Sequence, residues 1–285
     1  MEQDRQLVVK SNHIIEASYR LSVAEQRVIL SAIAQVRRDQ PKVTDAVLYS
    51  VTAAELAELC GTDPKTAYRD LQNAAERLQT RRVTLILEPD GVTIRTKRRR
   101  VTCWVQSVDY IDQEGRIELR FGKDILPYLT GLQREFTRYA LSDVAKMTSA
   151  HAIRLYELLV QWPEGHRVVE LDDLRRWLQL EDRYPSIKDL KRRVLDPAVQ
   201  QINEHSPLML TWSQRKTGRK VTHLVFDYAP KKQPAKAVGK APAKSKAGKL
   251  TKEEVGRLAR PGESWEAAYA RLNQIQLELP EETTA

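Results

Sequence analysis

The stretch Tyr184-Pro185-Ser186-Ile187-Lys188-Asp189-Leu190-Lys191-Arg192-Arg193-Val194-Leu195-Asp196-Pro197-Ala198-Val199-Gln200-Gln201-Ile202-Asn203 constrains the chain more than any other. Pro185 and Ser186 form a helix start, and Ile187, Leu190, Val194, Ala198 and Ile202 recur at helical spacing as one apolar stripe. Lys188, Lys191 and Arg192 fall on the opposite face, flanked by Arg193. Four cations within six residues, with only Asp189 among them, repel one another and suit a polyanion. Leu171 to Leu178 reads as a shorter helix upstream, and Leu208 to Tyr228 as a hairpin with a basic tip at Arg215, Lys216, Arg219 and Lys220. Helix, turn, basic helix and basic hairpin is the order of a winged helix whose second helix enters a DNA major groove.

The same order occurs earlier. Ser22-Val23-Ala24-Glu25 is a capping box opening a helix with Val28, Ile29, Ile33 and Val36 inward. Val47 to Val51 reads as a strand, and Thr52-Ala53-Ala54-Glu55 as a second capping box whose helix stops at Gly61. Asp63-Pro64 then starts a helix with Ala67, Leu71, Ala74 and Leu78 inward and Lys65, Thr66, Arg69 and Asn73 outward. Val83 to Leu87 and Val92 to Thr96 make a hairpin through Glu88-Pro89-Asp90-Gly91, leading into Lys97-Arg98-Arg99-Arg100. A further hairpin, Thr102 to Ile111 and Arg116 to Phe121, turns at Asp112 to Gly115. Short helices follow at Lys123 to Leu129 and Ser142 to Met147, and Ser149 caps a strong helix carrying Ile153, Leu155, Tyr156, Leu158, Leu159 and Trp162. Val168 to Leu171 is a strand. Leu7 to Ile15 reads as a short mixed segment resembling an arm.

The expected fold is therefore α+β, two tandem winged-helix domains joined between Arg138 and Ser149, residues 1–140 and 141–229. Residues 230–249 hold seven lysines, three prolines and no acid, the composition of a disordered tether. Residues 250–285 hold a partly helical apolar pattern interrupted at Pro261-Gly262, read as a short amphipathic helical tail. From residue 230 onward the chain has eleven basic and seven acidic residues, +4 of the total +9, which leaves +5 for the two domains. Clustering, not total charge, must attract DNA there.

Two cysteines without metal-ligand spacing, no apolar run of membrane length and a polar N-terminus fit a cytoplasmic protein with no disulfide framework, cofactor or metal. Trp104, Trp162, Trp177 and Trp212 read as core, Cys60 and Cys103 as buried small hydrophobes, and the five histidines as scattered. No His-x-His pair of a nicking enzyme and no Gly-x-x-x-x-Gly-Lys-Ser/Thr loop occurs, so an enzyme is disfavoured. Pro197 either kinks the basic helix or divides it.

Four motifs together carry a resemblance. They are Val9-Lys10-Ser11-Asn12 with Leu21 to Arg27, Ala150 to Leu159, Leu190 to Val199 with Ile202-Asn203, and Lys216-Thr217-Gly218-Arg219-Lys220 before the strand Val221 to Phe226. The chain resembles the Rep family of iteron-binding plasmid replication initiators over roughly Val8 to Tyr228. The resemblance implies that both winged helices bind one double-stranded repeat, with monomers on direct repeats at the origin. It implies origin opening with host replication proteins such as DnaA and the DnaB helicase. It also implies a homodimer, joined through the first domain, that represses the chain's own promoter. The DNA-contacting side chains are expected to be Lys188, Lys191, Arg192 and Arg193 with Arg215, Lys216, Arg219 and Lys220 in the second domain. Lys65, Thr66 and Arg69 with Arg95, Lys97, Arg98, Arg99 and Arg100 hold those places in the first. The bland alternative for each is a solvated basic face or turn. The rival function is a sequence-specific transcriptional repressor without a replication role.

Overall fold

The computed structural model describes residues 7–36, 43–88, 96–130, 132 and 135–231. Arg95, residues 92–94 of the expected hairpin strand, and the tether and tail from residue 232 lie outside them.

The first module begins with Ser22, whose hydroxyl accepts from the Glu25 amide while the Glu25 carboxylate accepts from the Ser22 amide. This box opens α2 (Val23–Ala34), whose Val28, Ile29 and Ile33 are buried. β3 (Tyr49–Thr52) leads through the second capping box into α3 (Ala53–Cys60). Gly61, at φ +64, supplies the left-handed residue that stops α3. Asp63 then caps α4 (Pro64–Leu78), which buries only Ala67, Leu71, Ala74 and Leu78, the stripe expected from spacing.

β4 (Arg82–Leu87) pairs with β5 (Arg98–Cys103), with Leu87 opposite Arg98 and Arg82 opposite Cys103, so the return strand of this wing is the arginine run itself and not Val92 to Thr96. Arginine has little strand preference, but β5 is an edge strand, and Arg98, Arg99, Arg100 and Val101 are all exposed. Consecutive exposure on both faces means that this end of the ribbon projects beyond the core. The segment from Leu7 is no free arm. β1 (Leu7–Ser11) pairs antiparallel with β8 (Phe136–Ala140), and Val8 to Ser11 are buried. Ser11 caps the short α1 (Asn12–Ile15).

β3 pairs with an inserted hairpin, β6 (Val105–Ile111) and β7 (Arg116–Phe121), whereas β4 pairs with the short β2 (Ser18–Tyr19). Trp104, fully buried, stands where the chain leaves the wing for this hairpin. In the second module β9 (His166–Glu170) pairs directly with β11 (Lys220–Pro230), and β11 with β10 (Leu208–Thr217). The two modules share an element order and differ in which hairpin the inter-helix strand joins.

α5 (Ser142–Ala145) and α6 (Ala150–Val160) connect them. α6 packs against both β8 and α9 (Asp196–His205). Trp104 and Trp177 are core and Trp212 is partly buried against it, but Trp162 is 45% exposed, because the helix has ended before it. Cys60 is buried and Cys103 only half-buried. No described helix is long and apolar enough to cross a membrane.

One polar cluster is sealed inside. Lys10 on β1 and Glu157 on α6 form an ion pair at 2% and 1% side-chain exposure. Arg154 reaches the same carboxylate at 3.1 Å, and the Tyr139 hydroxyl donates to it. Burial alone would raise the Glu157 carboxyl, but Lys10 and Arg154 outweigh it and hold the group below the usual carboxylate range.

Candidate nucleic-acid interface

α7 (Leu171–Trp177) and the helix that follows make the helix-turn-helix of the second module. The turn between them is clamped by Arg175. Its guanidinium donates to the carbonyls of Arg183 at 3.2 Å, Tyr184 at 2.8 Å and Pro185 at 3.3 Å. Those bonds occupy three backbone acceptors in a turn whose Gln179 and Tyr184 both adopt positive φ, +51 and +52. Ser186 then accepts from the Lys188 amide and starts α8 (Ile187–Leu190).

α8 and α9 form one continuous helical run through a wide turn over Lys191–Leu195, closed by the Asp196 amide donating to the Lys191 carbonyl. Pro197 explains the widening. It has no amide to donate to the carbonyl four residues back, and its ring crowds that carbonyl. A turn widened to five residues accommodates the ring without breaking the helix. Leu190, Val194, Ala198 and Ile202 are buried as expected, joined by Leu195, which the wide turn brings inward.

Lys188, Arg192 and Arg193 are exposed on the far side. Arg192 keeps a 3.2 Å contact with Asp189, both largely in solvent. Lys191 differs from its neighbours. It is half-buried, and its Nζ lies 5.2 Å from the centroid of Trp212 on β10. A cation over an aromatic face is attracted by the ring quadrupole. Lys191 therefore ties the basic helix to the base of the wing rather than standing free. At the wing's tip Arg215, Lys216, Arg219 and Lys220 are all exposed and make no ion pair among the described residues. The strands pair up to Thr217 opposite Lys220, with a bulge between Arg215 and Lys216, and Gly218 at φ +61 makes the tight reversal. Lys191 over Trp212 thus ties the basic helix to the strand that carries the basic tip.

In the first module Lys65 and Arg69 are exposed at the start of α4, and Thr66 is half-buried. Asp63 accepts from the Lys65 and Thr66 amides at 2.9 and 3.2 Å, so a carboxylate already occupies that helix end. On the wing Lys97 pairs with Glu88 at 2.6 Å and Arg100 with Asp124 at 3.8 Å, all exposed contacts of small energetic weight. Arg98 and Arg99 make no ion pair among the described residues. Arg95 lies outside the described residues. Among the described residues no cluster of three or more His, Cys, Asp or Glu could hold a metal ion.

Sequence reasoning missed Arg175, because a guanidinium that bonds backbone carbonyls leaves no spacing signature. It also missed Arg20, Arg77 and His151, which come from three distant segments and line one cleft.

Comparison with known proteins places this geometry in a family. The model described as Initiator Replication protein, WH1 matches residues 7–160, and the one described as Initiator Rep protein, WH2 matches residues 170–228. A replication initiation protein of Escherichia coli is 27% identical over 228 residues, covering 77% of this chain and 68% of that protein. An uncharacterized 27.6 kDa protein of Escherichia coli is 28% identical over 224 residues, covering 74% of this chain and 91% of its own. A crystal structure of the Pi initiator protein in complex with iteron DNA superposes with a TM-score of 0.66 at 21% identity, covering 81% of this chain and 99% of that one. That likeness shows the fold, two winged-helix domains in tandem.

Proposed function

We propose, from the premise that this chain belongs to the family of initiator replication proteins, that it starts plasmid replication by gripping repeated origin DNA with both winged helices. In this reading Arg192 and Arg193 enter the major groove as base readers and Lys188 meets phosphate. Arg215, Lys216, Arg219 and Lys220 hold the adjacent backbone. Lys65, Thr66 and Arg69, with the wing of Lys97 to Arg100, take the neighbouring groove. A single observation carries the reading: exposed cations on the helix and an unpaired basic tip on the hairpin that follows it are tied by Lys191 over Trp212. Iteron DNA, which the similar Pi initiator binds in its crystal structure, is the substrate class this surface fits.

Further steps belong to the same proposal. The bound monomers open the origin with DnaA and recruit the DnaB helicase. A homodimer represses the chain's own promoter. The test is transformation with this gene and its upstream repeats on DNA that lacks any other origin. An initiator maintains the plasmid, and the R192A/R193A variant loses it. Binding to the repeats without plasmid maintenance would instead identify a repressor.

A further inference from the structure

A cleft of about 460 Å3 opens where the two winged helices meet. Its walls include Arg20 ahead of α2, Arg77 in the last turn of α4, His151 in the first turn of α6 and Leu178 just past α7. No carboxylate lines it. Arg81 reaches it too, but its guanidinium is taken by the buried Glu25 at 2.7 Å. Arg20 and Arg77 are exposed and make no ion pair among the described residues. Arg154, 3% exposed, also lines the cleft, but like Arg81 it is already paired, with Glu157 at 3.1 Å and with the carbonyls of Ile15 and Ala17, so Arg20 and Arg77 are the cations left without a carboxylate. Burial and the nearby guanidiniums of Arg20 and Arg183 push the His151 imidazole down to about 4, so its ring is neutral at physiological pH. Cations gathered without a counter-ion raise the energy of the isolated protein, and an anion seated among them lowers it.

The cleft's place in the fold says which anion. Arg77 ends an exposed row, Lys65, Arg69, Asn73 and Arg77, one residue every four along α4. At ~1.5 Å per residue that row runs about 18 Å from the first reader's tip to the cleft. On the other side Arg183, close enough to His151 to affect its charge, lies just ahead of α8. The cleft therefore sits between the two readers. A duplex read in two adjacent major grooves on one face carries its minor-groove backbone across the space between them.

We infer that this cleft seats a backbone phosphate of the duplex between the two contacted grooves, held by Arg20 and Arg77. The inference rests on the DNA-reading proposal above and adds a contact that neither recognition helix nor wing supplies.

The experiment uses the full chain and a duplex that it selects from a random-sequence library. Phosphates in the centre of the footprint are replaced one at a time by neutral methylphosphonates, and affinity is titrated for the wild type and the R20Q/R77Q variant. At one or two central positions the neutral linkage weakens the wild type about tenfold, and the variant is weakened about as much on native DNA. Combining the two adds little, because both remove the same contact. Losses that add fully at every central position overturn the assignment. In a second arm, inorganic phosphate and pyrophosphate are added to DNA-free protein during thermal unfolding. Stabilisation that R20Q/R77Q abolishes, together with additive DNA losses, assigns the cleft to a small free anion and also overturns it. R20Q and R77Q are followed singly if the double variant melts below the wild type. Failure to select any duplex sinks the DNA-reading proposal as a whole, whereas a selected duplex with additive losses sinks this contact alone.

Discussion

At the scale of single residues, position in the fold separates cations left exposed from cations that hold the fold. Arg192 is exposed and Lys191 is stacked on Trp212, although they are adjacent in sequence. Replacing Arg192 by Ala is expected to cost about 1–3 kcal/mol of affinity and to relax the preference at one base pair. A titration over single-base variants of the site checks both effects. Glu157 is a different case, because removing its charge leaves Lys10 and Arg154 buried without a full partner. Glu157→Gln is expected to cost about 3–5 kcal/mol in urea unfolding. His151 gives the pH dependence. Its folded value is depressed to about 4 from 6.5, so the unfolded chain binds the proton first, and stability falls as pH drops through that window. The slope is up to ~1.4 kcal/mol per pH unit. Unfolding curves at pH 7, 6, 5 and 4 should show this, and His151→Leu should flatten it.

Elements marked by local signals were legible, and pairings with distant partners were not. Both capping boxes, the Gly61 stop and the α4 stripe follow from residues within one or two turns of each other. β1 looked like an arm because its partner β8 lies far along the chain, at Phe136–Ala140. The first wing was misplaced because Arg98 to Arg100 read as a charge run, and an edge strand open to solvent on both faces tolerates one. Pro197 was visible, but whether it kinked or divided the helix turned on the wide turn at Lys191–Leu195. Pro197→Ala permits an ordinary turn there, which rotates Lys188 and Arg192 by about 100° relative to α9. DNA affinity is then expected to fall at least about tenfold, or ~1.4 kcal/mol, because the cations and the buried Leu190 cannot both keep their places. Unchanged affinity would show that the wide turn does not set the presentation of the basic face.

Over the whole molecule, the duplicated order of elements was enough to anticipate two winged helices in tandem. What the sequence did not reveal is how the two are joined: α6 packed on both, a buried Lys10–Glu157 pair locking β1 to it, and arginines gathered at the seam. The Lys10–Glu157 pair alone joins residues 147 positions apart, a distance over which spacing carries no signal. If both readers engage one face of a duplex, their contacts fall about 34–36 Å apart. Hydroxyl-radical footprinting of the full chain on a single repeat tests this most directly. The expected pattern is two protected stretches about one helical turn apart, spanning roughly two turns. In R192A/R193A the stretch assigned to the second module should fade first. Protection confined to one turn would contradict the account, since one winged helix would then do the reading alone.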